Sequence, residues 1–208
     1  MTHNTSLSIL AEGVALSRRN EILDLAILGQ LRRPAHGYEL RKRLTSTLGA
    51  LRTWSFGSLY PALRRLTGAG LIAAEAAAGS ARGKIVYHLT PAGTRHLSQA
   101  LSLAGPTAWD DASFAVHFAS FASADVPTRL RILEGRRALA RERLAAARTA
   151  AQAAATQADA YAAALARHLQ TQLETHLQWV EEVMSAERSP GFSVEMASSQ
   201  SQQGEVDE

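Results

Sequence analysis

Ser55, Ser58, Tyr60, Arg64 and Arg65 fall within eleven residues. Hydroxyl, phenol and guanidinium groups all bond phosphate oxygens, and arginine also reads guanine with two parallel hydrogen bonds. Leu59, Leu63 and Leu66 interleave with them at i, i+4 and i+7, so one helix can bury the leucines and turn the polar groups outward. Arg82 and Lys84 form a second basic pair beside Gly79 and Gly83. Each group also has a plainer reading. Tyr60 can serve as packing, and the arginines can be solvated surface charges. Catalytic chemistry finds no such support. The chain has no cysteine, and its seven histidines are scattered without an HExxH pair or metal-ligand spacing. The run GSARGK lacks the GK[ST] ending of a phosphate-binding loop. No enzyme, metal or cofactor is expected.

The elements that must position these residues can be read from periodicity and punctuation. Residues 1–8 are polar and expected to be loose. A first helix is predicted from Asn20, its cap, to Leu31, with an extra turn or two possible over Ser8–Leu16, and Pro34 closes it. A second helix is predicted over Gly37–Leu48, with Tyr38, Leu40, Leu44 and Leu48 on one face and Arg41, Lys42 and Arg43 on the other. The third runs from about Ser55 to Ala69. It tolerates Pro61 only near its start and ends at Gly68 and Gly70. Strands follow at Leu71–Ala76 and Lys84–Leu89, joined by a flexible tip over 77–83. Thr90 caps a fourth helix with Pro91 at its first position.

Gly105-Pro106 marks a change of composition. Phe114, Phe118 and Phe121 then repeat at helical spacing within Trp109–Phe121, and Asp125 can cap the next helix, from about Pro127. Sixteen of the 29 residues from Ala138 to Ala166 are alanine, the strongest helix former, so a long helix or two with a break near 151–159 is predicted. A last helix aligns Tyr161, Leu165, Leu169, Leu173, Leu177, Val180 and Met184. The Ser/Gln/Glu-rich tail 189–208 has little to bury and is expected to be disordered.

The chain has 208 residues, 46% of them hydrophobic and 20% charged, as in ordinary globular proteins. Its net charge of +3 conceals a division. Residues 1–100 hold 13 basic and 5 acidic side chains, whereas residues 101–208 hold 9 and 14. The basic half is the one suited to a polyanion. No apolar run reaches the ~18 residues that cross a bilayer, and no signal peptide is evident, so a cytoplasmic protein without a membrane partner is expected.

Helix–helix–helix–strand–strand–helix in a basic segment is the order of a winged helix-turn-helix. The expected architecture is mainly α: a winged helix-turn-helix with a two-stranded β-wing over 1–104, an all-helical dimerisation domain over 105–188, and the tail. In such a fold the third helix can enter the major groove of DNA, and the wing places Arg82 and Lys84 by the phosphate backbone. The runs LAILGQLRRPAHGYELRKRL, WSFGSLYPALRRLTGAGLI and GKIVYHLTPAG resemble PadR-type transcriptional regulators across residues 22–97. Two features depart from that pattern: Phe56 stands where many members have proline, and the wing tip carries only one arginine and one lysine. The resemblance implies a homodimeric DNA-binding regulator, usually a repressor, whose affinity for double-stranded DNA responds to a small effector. It also implies DNA contacts from the third helix and wing. That supports Ser55, Ser58, Tyr60, Arg64, Arg65, Arg82 and Lys84, and adds Tyr38 at the start of the second helix.

Two copies on a two-fold axis would read a palindromic operator, with half-sites about 34–36 Å apart. The C-terminal helices are the expected means of holding them, through Leu130, Leu133, Leu144 and the Tyr161–Met184 face. Trp109, Phe114, His117 and Phe118 are candidates for holding an aromatic or apolar effector, although an aromatic stripe at helical spacing is more often core. The rival reading for the whole chain is a protein–protein adaptor built on a winged helix, which would not bind DNA.

Overall fold

The computed structural model describes residues 3–48, 56–76, 84–156 and 159–189. The chain divides into two compact units, Met1–Ala124 and Asp125–Glu208. The sequence placed that boundary twenty residues earlier, at 104/105. It lies later because the aromatic helix belongs to the first unit. Val116 joins the first unit's core. Gly29 also lets the two helices close up, since a Cβ there would collide with Ser120 Oγ.

The first unit begins with α1 (His3–Gln30). It is one continuous helix, so residues 3–8 are not loose as expected, and Asn20 lies within it rather than capping it. Strand β1 (Ala35–His36) leads directly into α2 (Gly37–Leu48). The buried face of α2 is Gly37, Leu40, Leu44 and Leu48. Tyr38 does not share it, because two residues' separation turns a side chain about 200° around a helix. Helix α3 (Phe56–Gly68) carries Pro61 in its second turn, on the exposed side where solvent can satisfy the Gly57 carbonyl. Leu59, Leu63 and Leu66 are buried, as their spacing predicts. Its end is a Schellman motif. Gly70 adopts φ +68°, its N–H donates to Thr67 O, and the N–H of Leu71 donates to Leu66 O.

Strands β2 (Ile72–Ala76) and β3 (Ile85–Leu89) pair antiparallel, with Ile72 opposite Leu89 and Ala76 opposite Ile85. The sheet has three strands rather than two, in the order β1-β3-β2, with Ala35 opposite Tyr87. A two-residue strand shows no periodicity, which hid β1 in the sequence. Helix α4 (Pro91–Ser102) has its predicted cap, with Thr90 Oγ1 accepting from Gly93 N–H at 3.0 Å. The same hydroxyl lies 2.7 Å from Gly70 O and 3.0 Å from Leu71 O, so it also ties the end of α3 to the start of α4. Helix α5 (Asp111–Ala119), capped by Asp110, is shorter than the predicted 109–121, because each end turns into a short 3-10 helix. The core is Leu23, Ile27, Leu28, Leu31, Leu40, Leu44, Leu59, Leu63, Ile72, Leu97 and Leu101 with their neighbours. Each such side chain contributes about 1.5–3 kcal/mol by leaving water.

The second unit is a helical hairpin of α6 (Val126–Thr156) and α7 (Ala160–Arg188). At 31 residues, α6 is about 45 Å long. Asp125 caps it, accepting from Thr128 N–H at 2.9 Å, and Asp159 caps α7. The break falls inside the predicted window. Leu133, Ala140, Leu144, Val180 and Met184 are buried. The ion pairs Glu134–Arg188, Arg141–Glu181 and Arg148–Glu174, at 3.5, 2.7 and 2.9 Å, link the two helices in antiparallel register. A fourth pair, Arg129–Glu187 at 3.2 Å, is nearly buried, and burial pushes the Glu187 carboxyl above its usual range against the pull of Arg129. The acidic excess of the C-terminal half does not reside here: residues 125–189 hold nine basic and eight acidic side chains. The expected single apolar face of α7 is split. Val180 and Met184 are buried, while Tyr161, Leu165 and Leu169 are exposed. The tail 190–208 lies outside the described residues.

Candidate nucleic-acid interface

The leucine stripe decides which side chains of α3 face out. With Leu59, Ala62, Leu63 and Leu66 buried, the opposite face presents Gly57, Pro61 and Arg64. Tyr60 sits on one flank of that face, and Ser58 with Arg65 on the other.

The Tyr60 flank leans on the start of α2. The ring packs where Gly37 has no side chain, since a Cβ there would lie 3.1 Å from Tyr60 Oη. Tyr60 nevertheless keeps 39% of its surface exposed, so packing and contact to a ligand coexist in one residue. Tyr87 on β3 is a neighbour. Burial pushes its phenol above the ordinary value, Tyr60 adds to that, and Arg64 opposes it. Tyr60 and Arg64 thus stand near enough to Tyr87 to influence its phenol, at the junction of α3 and the sheet.

The opposite flank leans on α1. Arg65 donates to both carboxylate oxygens of Asp24, at 2.6 and 3.3 Å. Burial raises the Asp24 carboxyl above its usual range, and Arg65 is the largest influence pulling it back, followed by His96. The sequence placed Arg64 and Arg65 together as contacts to a ligand. The structure separates them: Arg64 stands on the outer face and Arg65 is held by α1.

Tyr38, at the start of α2, is 69% exposed. Arg43 holds this corner in place, donating to Arg33 O at 2.9 Å and Pro34 O at 3.3 Å and pairing with Glu39. The sequence put Arg43 with Arg41 and Lys42 on the face of α2 opposite the leucines. Only the turn geometry reveals that it braces the chain before Tyr38. Ser58 is half-buried, and Lys84 is exposed just before β3. Ser55 and Arg82 lie outside the described residues.

The aromatic candidates sit around α5. Phe114 and Phe118 stack at 5.8 Å, and Phe118 meets Phe121 at 5.0 Å. Phe114 and His117 are buried, while Phe118 and Trp109 are half-buried. His117 Nδ1 lies 2.7 Å from Ser113 O, and because a carbonyl can only accept, Nδ1 carries the proton. Burial pushes the imidazole pKa down, keeping it neutral. The cluster is in large part packed interior. Among the described residues, no group of His, Cys, Asp and Glu could hold a metal ion, and no helix is long and apolar enough to cross a membrane.

The transcriptional regulator PadR-like family matches residues 25–99. No curated protein matches the chain. Among solved structures, a PadR family transcriptional regulator from Eggerthella lenta is 31% identical, with 46% of this chain covering 83% of that one and a TM-score of 0.36. Bacillus subtilis PadR in complex with operator DNA is 20% identical, covering 80% of this chain and 97% of that one, with a TM-score of 0.39. The same Bacillus protein in complex with p-coumaric acid is 19% identical, covering 81% and 99%, with a TM-score of 0.37. The match to the PadR-like family of transcriptional regulators thus spans residues 25–99, all within the first unit.

Proposed function

We propose that this protein is a transcriptional regulator that binds double-stranded DNA sequence-specifically as a homodimer on a palindromic operator, acting in the cytoplasm as a repressor relieved by a small aromatic or apolar effector. The observation that carries the DNA reading is the outer face of α3, where Arg64 stands beside a half-exposed Tyr60 in a segment rich in positive charge. Arg64 is the side chain suited to a guanine edge. Tyr38, Ser58, Tyr60 and Lys84 suit phosphate oxygens, as do Ser55 and Arg82 by their sequence positions. Arg65 is engaged by Asp24 of α1. The dimer reading rests on Tyr161, Leu165 and Leu169, which repeat every four residues along α7 and stay exposed within one chain. For the effector, the half-buried Trp109 and Phe118, beside Phe114 and His117, supply aromatic surface with a neutral imidazole.

The test is duplex binding against salt. A dimer neutralising about six to eight phosphates gives a log–log slope near −5 to −7. Absence of binding to any duplex at low ionic strength would sink the reading and favour an adaptor.

A further inference from the structure

We propose that Asp24 and Arg65 form a positioning pair that sets the roll of α3, so that Arg65 serves DNA recognition through α1 rather than by touching DNA. The inference rests on the reading of α3 as the DNA-facing helix and assigns Arg65 a role within it. Three observations carry it. The pair is two-pronged, at 2.6 and 3.3 Å, which fixes the guanidinium plane as well as its distance. It joins residues 41 apart in sequence, linking the first helix of the unit to the last turn of α3. Finally, the opposite flank of the same helix is seated by Tyr60 on Gly37. A helix held on both flanks cannot rotate about its axis, and the side chain aimed by that restraint is Arg64, between them on the outer face. Asp24 itself faces Arg65, His96 and Glu21.

The experiment uses the full chain and two probes: a duplex recovered from a randomised pool by repeated capture, and a mixed-sequence duplex of the same length. Asp24→Asn and Arg65→Ala should each weaken the selected duplex about tenfold, and the double variant should bind no worse than either single one. Mixed-sequence binding and the salt slope should stay as in the parent, since no phosphate contact is lost. Arg65→Lys keeps the charge but loses the fork, and should behave like Arg65→Ala. Thermal midpoints above the assay temperature show that every variant is folded.

Additive losses, no loss, or a slope about one lower in Arg65→Ala alone would overturn the proposal, the last by making Arg65 a phosphate contact. If the parent binds neither duplex, the DNA reading itself fails. The positioning claim is then judged without DNA, on the Gly37 amide resonance, which senses the Tyr60 ring. It should shift in both Asp24→Asn and Arg65→Ala, and a stationary resonance overturns the proposal.

Discussion

The ring of Tyr60 occupies the space that a side chain at Gly37 would fill, with Oη 3.1 Å and a ring carbon 3.3 Å from where a Cβ would stand. The first residue of one helix is thus the seat for a residue at the candidate interface of the next. Two effects of Gly37→Ala oppose each other. Alanine restricts the unfolded chain and so favours folding by about 0.4–1 kcal/mol, while the ring must give way by a few tenths of an ångström, at a cost of about 1 kcal/mol. Stability should therefore change little. Specific DNA binding should fall severalfold, because Tyr60 moves. Paired thermal melts and binding titrations check both halves, and a binding loss matched by an equal loss of stability would refute the seating role.

Arg64→Ala should cost about 1–3 kcal/mol of specific binding and relax sequence preference at one operator position, with the melting temperature unchanged. Lys84→Ala should weaken selected and mixed duplexes alike and lower the salt slope by about one. Titrations at several salt concentrations separate the two patterns.

His117 gives the first unit a pH dependence of known sign. Its folded pKa lies below the ordinary value of 6.5, through burial. The unfolded chain therefore takes up the proton first, and stability is present above about pH 6.5 and lost as pH falls through the folded pKa. The limit is about 1.4 kcal/mol per pH unit for one proton. Asp24 and Glu187, both raised, act the other way at lower pH: the stability they contribute is present in acid and lost as pH rises through their folded values. Denaturant midpoints from pH 7.5 to 5.5 should fall for the parent and stay flatter for His117→Gln.

Leu165→Glu with Leu169→Glu should convert the proposed dimer to a monomer without unfolding it, since both side chains are exposed within one chain. Sedimentation equilibrium and helical circular dichroism are the measurements. An unchanged mass would place the dimer contact elsewhere.

What could be read from the sequence depended on range. The leucine stripe of α3, the Thr90-Pro91 start of α4 and the strand-forming residues of β3 are local patterns, and each appears within a residue or two of its expected place. The α6–α7 break could be placed only loosely, near 151–159, and Asp159 at the end of that window caps α7. Strand β1 could not be read at all, because two residues acquire strand geometry only from β3. The grouping of Arg64 with Arg65 followed from adjacency, but neighbours on a helix point about 100° apart, and Asp24 lies too far along the chain to be seen as a partner. Tyr38 was aligned with the leucines of α2 by composition rather than by angle. The domain boundary moved because Gly105-Pro106 reads as a linker, whereas packing continues past it through Val116.

The three exposed ion pairs of the hairpin share one arithmetic: the residue numbers of each pair add to the same total, so all three belong to a single alignment of α6 on α7. Slide one helix by a turn, about 5.4 Å, and Arg141 comes opposite Ser185 or Leu177, while Arg148 comes opposite Gln178 or Gln170. Both slides break the three pairs, and only the one that brings Arg141 to Leu177 offers a replacement, Arg137 with Glu181. Individually such bridges contribute little, about 0–1 kcal/mol each. Together they bias the alanine-smooth surfaces toward one alignment, and with it toward one length for the hairpin.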